Sequence, residues 1–140
     1  MNNSLPRLPE FEYIRLETIE KAAQFLKDHP GEAAPYLGGT DLFVGLRDRR
    51  KQPKYLVDLK HLKGLNTLTF DPAKGLTIGA RVTLNQLIDH TDVQKNYPIL
   101  CQSAKQVGGY QLRNRATLCG NICNASPCGD TIGPSMIYQG

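Results

Sequence analysis

The sequence predicts an α+β fold, because segments with helical periodicity alternate with short segments typical of strands. Three observations support this class: an amphipathic stretch from Thr18 to Lys27, a strand-like stretch that enters Gly38-Gly39, and a strand-turn-strand pattern from Leu65 to Ala80. The 140 residues are 40% hydrophobic and 21% charged, a composition that allows one buried core. No apolar run is long enough to span a membrane, and residues 1–12 lack the pattern of a secretory signal, so we expect a cytoplasmic protein.

The first half of the chain is predicted to contain two helices and two strands. Thr18 is the predicted N-cap of a helix that runs through about Lys27 and ends at Pro30-Gly31. A short strand is predicted from Ala34 to Leu37 and a second helix from Asp41 to Leu46. The second strand is predicted from Lys54 to Leu59.

A glycine pair lies at the junction of the first strand and the second helix, in Leu37-Gly38-Gly39-Thr40-Asp41. Glycine has no Cβ and tolerates positive φ, so such a pair can bring backbone N–H groups close to an anion. The helix N-terminus that follows also favours negative charge. A glycine pair on its own is more often a simple turn, so the loop predicts a nucleotide or flavin site only together with a second signal.

The second half is predicted to begin with a β-hairpin, whose strands cover Leu65 to Phe70 and Leu76 to Ala80. Thr83 is then the predicted N-cap of a helix from Leu84 to Asp89. Helical periodicity continues from Val93 to Val107, with an interruption at Pro98. The segment from Gly108-Gly109 to Pro134 is predicted to be irregular, and a long irregular segment inside a compact domain is typical of a functional loop.

The second glycine cluster lies in that segment and provides the second signal. It reads Arg115-Ala116-Thr117-Leu118-Cys119-Gly120-Asn121 and continues into Ile122-Cys123-Asn124-Ala125-Ser126-Pro127-Cys128-Gly129-Asp130. With this cluster and the first loop, the chain resembles the FAD-binding, medium-size flavoprotein subunit of the molybdenum hydroxylases. The resemblance also includes three further segments, Leu56 to Leu59, Leu76 to Leu87 and Gln111 to Thr117. This family includes xanthine dehydrogenase, carbon monoxide dehydrogenase and 4-hydroxybenzoyl-CoA reductase. The matches follow one another in the family's order, which makes the resemblance more specific than any single motif.

The resemblance implies a two-subdomain FAD-binding fold of the vanillyl-alcohol-oxidase or PCMH type, truncated before the C-terminal domain. Residues 1–60 would form the N-terminal FAD subdomain, and residues 61–140 would begin the second FAD subdomain, which stays incomplete. The last residues, from Ile132 to Gly140, look like the opening of a helix, whereas the flavoproteins of this family continue for about as much chain again. We therefore expect the N-terminal part of a longer subunit or a truncated gene product.

The same resemblance implies the FAD-contacting residues. The first loop and the start of its helix would wrap the pyrophosphate through backbone N–H groups and the Thr40 hydroxyl; these residues are Leu37, Gly38, Gly39, Thr40, Asp41 and Leu42. The second loop would wrap the same ligand; its residues are Thr117, Leu118, Cys119, Gly120 and Asn121. Thr117 and Asn121 would donate hydrogen bonds, and Asp130 would hold hydroxyl groups of the cofactor. No catalytic residue and no metal ligand is predicted.

In function, the resemblance implies an electron-transfer subunit of a hetero-oligomeric molybdenum hydroxylase. Electrons would come from a molybdopterin-binding large subunit and a small [2Fe-2S] subunit, and would leave through FAD to NAD⁺, a quinone or another acceptor. The alternative is a non-catalytic docking remnant that no longer holds flavin. That alternative has two grounds, the expected truncation and Cys119. The family has glycine at the position of Cys119, whose Cβ requires a β-like or α-like backbone there, or else strain of about 1 kcal/mol.

Two further alternatives concern the cysteines and the basic residues. Cys101, Cys119, Cys123 and Cys128 provide the four thiols that an iron–sulfur cluster needs, but their spacing matches no standard ferredoxin or zinc pattern. Loop or buried thiols are the favoured interpretation. The basic run from Arg47 to Lys51 has no interleaved aromatic residues, so a solvated loop or a contact with an acidic partner is favoured over nucleic-acid binding.

Overall fold

The computed structural model describes residues 7–138. The chain divides into two compact units, Met1–Leu62 and Lys63–Gly140. That these units correspond to two FAD subdomains stays a prediction. Each unit has its own sheet and its own buried residues.

Unit 1 is built on a three-stranded parallel sheet with the strand order β1-β3-β2. The strands are β1 (Glu12–Arg15), β2 (Ala33–Tyr36) and β3 (Tyr55–Asp58), and the helices are α1 (Ile19–Asp28) and α2 (Thr40–Arg47). Arg15 and Tyr36 are both paired in register with Asp58, so the three carboxyl ends lie side by side. The central strand contains the fully buried Leu56 and Val57, which explains why the sequence predicted it as an apolar run.

The elements of unit 1 agree with the sequence predictions except at the edge strand β1. The Thr18 side chain accepts a hydrogen bond from the Lys21 backbone N–H at 3.2 Å, which confirms the predicted N-cap of α1. The β1 strand was not predicted, because three of its four residues are exposed and its sequence has no apolar run. Its pairing with β3 therefore depends on tertiary contacts that the local sequence does not indicate.

Unit 2 begins with the predicted hairpin, formed by β4 (Leu68–Asp71) and β5 (Gly75–Ile78). Gly75 closes the turn opposite Asp71 at φ +85°, a left-handed conformation that glycine tolerates best. The first strand starts at Leu68 rather than at Leu65. The preceding residues still bond to the chain beyond β5, since Gly79 N–H donates to Thr67 O at 2.6 Å and Arg81 N–H donates to Leu65 O at 2.7 Å.

Helices pack around the core of unit 2. They are α3 (Leu84–Asp89), α4 (Thr91–Asn96), α5 (Pro98–Gln106), α6 (Tyr110–Arg113), α7 (Leu118–Asn124) and α8 (Ile132–Ile137). Thr83 and Gln86 form a complete capping box, which confirms the predicted start of α3. The predicted interruption is confirmed, since α4 ends at Asn96 and Pro98 opens α5 at its first turn, where a missing N–H has no consequence. The core centres on Leu84, Leu87, Val93 and Ala104, each at most 1% exposed.

The prediction that the segment from Gly108 to Pro134 is irregular is wrong. It contains α6 and α7, whereas α8 begins at Ile132, where the opening of a helix was predicted. The helices α6 and α7 have four and seven residues, and α7 includes glycine and asparagine, so local propensity does not indicate them. Within residues 7–138 the longest helix is α1 with ten residues, so none reaches the roughly 20 residues that cross a bilayer.

Candidate functional site

The first predicted cofactor loop connects β2 to α2, as the sequence indicated. Gly39 is the N-cap of α2 and has φ +78°, in the left-handed region. A Cβ on Gly39 would lie 2.6 Å from Tyr36 Cε2 and 2.9 Å from Phe43 Cδ2. Both the backbone conformation and the close approach of the two rings therefore require glycine at this position.

The N-terminus of α2 presents backbone donors that its own cap does not use. Gly39 provides no side chain to cap the helix, and the Phe43 N–H donates to Gly39 O at 3.0 Å. The first N–H groups of a helix have no partner within it, and here they belong to Thr40, Asp41 and Leu42. Together with the helix dipole, they form a site that favours an anion such as a phosphate.

A buried carboxylate lies at the carboxyl end of the central strand of unit 1. Asp58 is 4% exposed, and it accepts hydrogen bonds from the Tyr13 hydroxyl at 2.5 Å and the Lys60 backbone N–H at 2.9 Å. Lys60 Nζ lies 3.2 Å from Asp58 Oδ1, and Arg15 Nε lies 3.8 Å from Oδ2. Burial acts to raise the pKa of the Asp58 carboxyl, but the hydrogen bonds from Tyr13 and Lys60 outweigh it, and the pKa lies below its ordinary value.

This carboxylate is linked to the glycine loop through Lys60 and Tyr36. The Lys60 Nζ lies 3.4 Å from the centroid of the Tyr36 ring, a close cation–π contact. The Tyr36 ring meets Phe43 edge-on, with ring centroids 5.3 Å apart. These are the two rings that approach Gly39. The contacts among Asp58, Lys60, Tyr36 and Phe43 therefore hold in place the side chains beside the glycine loop. This role was not predicted from the sequence, although an aspartate that ends an apolar strand is a recognisable signal.

The second predicted loop opens α7 in unit 2. Thr117 is the N-cap, is 4% exposed, and its Oγ1 accepts a hydrogen bond from the Gly120 N–H at 3.0 Å. A Cβ on Gly120 would lie 2.9 Å from that Oγ1 atom, so glycine keeps the space that the capping hydroxyl occupies. The Thr117 hydroxyl proton is not used by this bond, since the oxygen acts as acceptor.

Cys119 occupies the second position of α7 and so adopts one of the two conformations that the sequence analysis allowed. Within residues 7–138 the only residues other than glycine with positive φ are Arg49 and Ala125. The cysteine therefore has a helical backbone and carries none of the strain expected for positive φ. The replacement of the family's glycine does not by itself disturb this loop.

Asn121 and Asp130 lie in different environments. The Asn121 side-chain amide donates to Thr131 Oγ1 at 3.4 Å, and Thr131 is fully buried. This bond ties α7 to the start of α8, and Thr131 was not singled out from the sequence. Asp130 is exposed and precedes Thr131, which is the N-cap residue of α8.

A buried asparagine supports the backbone that leads into Thr117. The Asn85 amide donates to Tyr110 O at 2.9 Å and to Asn114 Oδ1 at 2.8 Å, while Arg113 Nε donates to Asn85 Oδ1 at 3.2 Å. Asn85 is 5% exposed, and these bonds satisfy its amide. The Leu84 N–H also donates to Ala116 O at 2.9 Å. The start of α3 therefore fixes the residues immediately before the second loop.

Comparison with protein families and curated proteins gives a consistent result. Residues 9–139 match the family model described as the FAD binding domain in molybdopterin dehydrogenase. The chain is 36% identical over 127 residues to the xanthine dehydrogenase FAD-binding subunit of Escherichia coli O157:H7, which covers 91% of this chain and 43% of that protein. It is 30% identical over 122 residues to the carbon monoxide dehydrogenase medium chain of Hydrogenophaga pseudoflava, which covers 87% of this chain and 42% of that protein.

Solved structures give the same result. The fold is similar to that of a chain of the carbon monoxide dehydrogenase from Hydrogenophaga pseudoflava that lacks the Mo-pyranopterin moiety of the molybdenum cofactor, with a TM-score of 0.83 and 30% identity. This likeness covers 89% of the present chain and 43% of the other. The chain thus spans less than half the length of the relatives that it matches.

Proposed function

The chain belongs to the family of FAD-binding domains in molybdopterin dehydrogenases, and we propose that it acts as the FAD-binding part of an electron-transfer subunit. The family match and the structural likeness confirm the resemblance and the fold class expected from the sequence, and they support FAD as the cofactor. The observation that carries the proposal is the family match over residues 9–139, which includes both glycine loops.

The residues of the first loop fit a pyrophosphate. Gly39 keeps side-chain atoms away from the entrance to α2, and the N–H groups of Thr40, Asp41 and Leu42 are free of partners within the helix. We propose that these groups, with Leu37 and Gly38 on the approach, bind the phosphate oxygens of FAD. When bound, FAD supplies the reversible uptake and release of electrons, while the protein supplies binding and orientation.

The second loop is proposed to contact FAD through residues of α7 and its cap. The Thr117 hydroxyl proton and the backbone of Leu118 and Cys119 are available at the start of this helix. Gly120 leaves room for the Thr117 oxygen, and the Asn121 amide has two N–H donors, of which the long 3.4 Å bond to Thr131 uses one. Asp130 is exposed, which suits a carboxylate that accepts hydrogen bonds from cofactor hydroxyls.

The route of the electrons is part of the proposal. We propose that they arrive from a molybdopterin-binding large subunit and a small [2Fe-2S] subunit, and that they leave to NAD⁺, a quinone or another acceptor. One relative is a carbon monoxide dehydrogenase medium chain, and a medium chain implies assembly with further chains, which supports this proposal. The hetero-oligomer and the cytoplasmic location stay predictions.

The alternative of a docking remnant without flavin depended on Cys119 and on the expected truncation. Since Cys119 has no positive φ, the structure offers no ground on which this residue would exclude FAD. The experiment that separates the two functions is the visible absorption spectrum of the purified protein, followed by release and identification of the cofactor. Oxidised-flavin bands, with FAD released and the bands bleached by an electron-donating substrate of the co-purified complex, support electron transfer. A colourless protein that still captures partner subunits supports the remnant.

A further inference from the structure

The thiol groups of the α7 cysteines are not used in the proposed contacts with FAD, which involve only the backbone at Cys119. All four cysteines are free, and Cys101 lies in the core of unit 2 at 6% exposure, where its thiol faces the Leu87 and Ile88 carbonyls. The remaining three lie in or just after α7. Two of them, Cys119 and Cys123, are one helical turn apart, and their Sγ atoms are separated by 3.9 Å.

This separation matches the edge of a tetrahedral metal–thiolate site. With a Zn–S bond of about 2.3 Å and tetrahedral angles, two thiolate sulfurs lie about 3.8 Å apart. Cys119 and Cys123 therefore already have the spacing that one bridging cation needs. No change in the helix backbone is required to bind it.

A disulfide fits the same pair less well. Residues four apart on a helix have Cβ atoms about 5–6 Å apart, whereas a disulfide needs about 3.5–4.5 Å. Closing the bond would therefore distort the helix that the Thr117 cap starts. A cation between the two sulfurs avoids this distortion, since it spans the distance with two bonds.

The exposure of the two thiols also allows a cation to bind. Cys123 is exposed and Cys119 is half-buried, so an ion in solution can reach both sulfurs. Burial raises the pKa of the Cys119 thiol, and the neighbouring Cys123 raises it further, because two adjacent thiolates repel each other. A divalent cation removes this repulsion, and its binding converts two thiols into two thiolates with release of two protons.

We propose that Cys119 and Cys123 form a two-thiolate site for a thiophilic divalent cation, Zn²⁺ or Cd²⁺. Within residues 7–138 no group of three or more His, Cys, Asp or Glu side chains is placed to hold a metal, so water completes the coordination. Thiolate ligands select such ions over Mg²⁺ and Ca²⁺, which prefer oxygen. This site does not depend on the proposed binding of FAD.

The test is titration of the full, reduced chain with Cd²⁺ in the absence of oxygen, followed through the ultraviolet thiolate-to-cadmium charge-transfer band. The informative variant is Cys123→Ser, because Cys119 belongs to the predicted FAD loop. Cys128→Ser is the matched control, since Cys128 is also an exposed thiol near the same helix. Near-ultraviolet circular dichroism of each variant checks that unit 2 keeps its fold.

We expect one Cd²⁺ per chain, a band with the intensity of two thiolates, and no competition by Mg²⁺. Cys123→Ser removes one ligand and should weaken Cd²⁺ binding by at least about 10–100-fold, the loss that follows when an outer-shell partner of a metal site is removed. Cys128→Ser should bind as the wild type does. The proposal is overturned if the wild type gives no band, if Cys123→Ser binds Cd²⁺ as tightly as the wild type, or if Cys128→Ser loses as much affinity.

Discussion

Replacing Gly39 with alanine should destabilise the chain more than the same replacement at Gly31. Both glycines have nearly the same left-handed conformation, φ +78° at Gly39 and φ +76° at Gly31. A Cβ at Gly31 meets nothing within 4 Å, whereas a Cβ at Gly39 would lie 2.6 Å from Tyr36 and 2.9 Å from Phe43. The two variants therefore share the conformational cost and differ in the steric cost alone.

The magnitudes follow from these contacts. A left-handed alanine costs about 1–2 kcal/mol in either variant. The extra methyl group beside the two rings adds the cost of overpacking, about 1–3 kcal/mol, to Gly39→Ala only. Urea unfolding of wild type, Gly31→Ala and Gly39→Ala measures how far each variant lowers the free energy of unfolding, provided that the three proteins share the same m-value. Equal losses in the two variants would refute the argument that the Tyr36 and Phe43 rings require glycine at position 39.

Three further predictions concern other residues. Thr117→Val removes the cap of α7 and should lower the free energy of unfolding by about 1 kcal/mol, while Thr117→Ser keeps the bond to Gly120 and should lose much less in the same urea experiment. Because the pKa of Asp58 is lowered on folding, its contribution to stability is present above the unfolded value of 3.8 and is lost as the pH falls through the folded pKa. At neutral pH, Asp58→Asn should therefore be less stable than the wild type by about 1–3 kcal/mol. Below about pH 4, however, thermal unfolding should show that the variant loses less further stability than the wild type does. Parallel pH profiles of the two proteins would contradict this role. Gly79→Ala places a Cβ 2.5 Å from Leu65 O, a backbone atom, so we expect a loss above about 3 kcal/mol, and circular dichroism that shows a normally folded, equally stable variant would contradict the close approach.

The sequence predicted those elements whose local signals agree with their tertiary contacts. The Thr18 and Thr83 caps and the Gly39 junction are local features, because capping bonds and positive φ involve residues within one turn. The apolar run of β3 was predictable because this strand is central in its sheet. The same reasoning found both loops that the family match now includes.

Other features depend on residues that are distant in sequence. The edge strand β1 is recognised only by its pairing with β3, and the short helix α7 is tied by the bond from Asn121 to Thr131, ten positions along the chain. The bond between Tyr13 and Asp58 joins residues 45 positions apart, so no local pattern indicates it. Such contacts explain why the cluster around Asp58 and the polar network of Asn85 were not predicted.

The most direct test of the central claim is the affinity for FAD of the purified chain, measured by titration with the flavin for wild type, Gly31→Ala and Gly39→Ala. The account predicts one FAD per wild-type chain, unchanged binding in Gly31→Ala, and a loss of about tenfold or more in Gly39→Ala, since each 1.4 kcal/mol of disturbed binding is a factor of ten. No binding by the wild type, or equal binding by all three proteins, would contradict it.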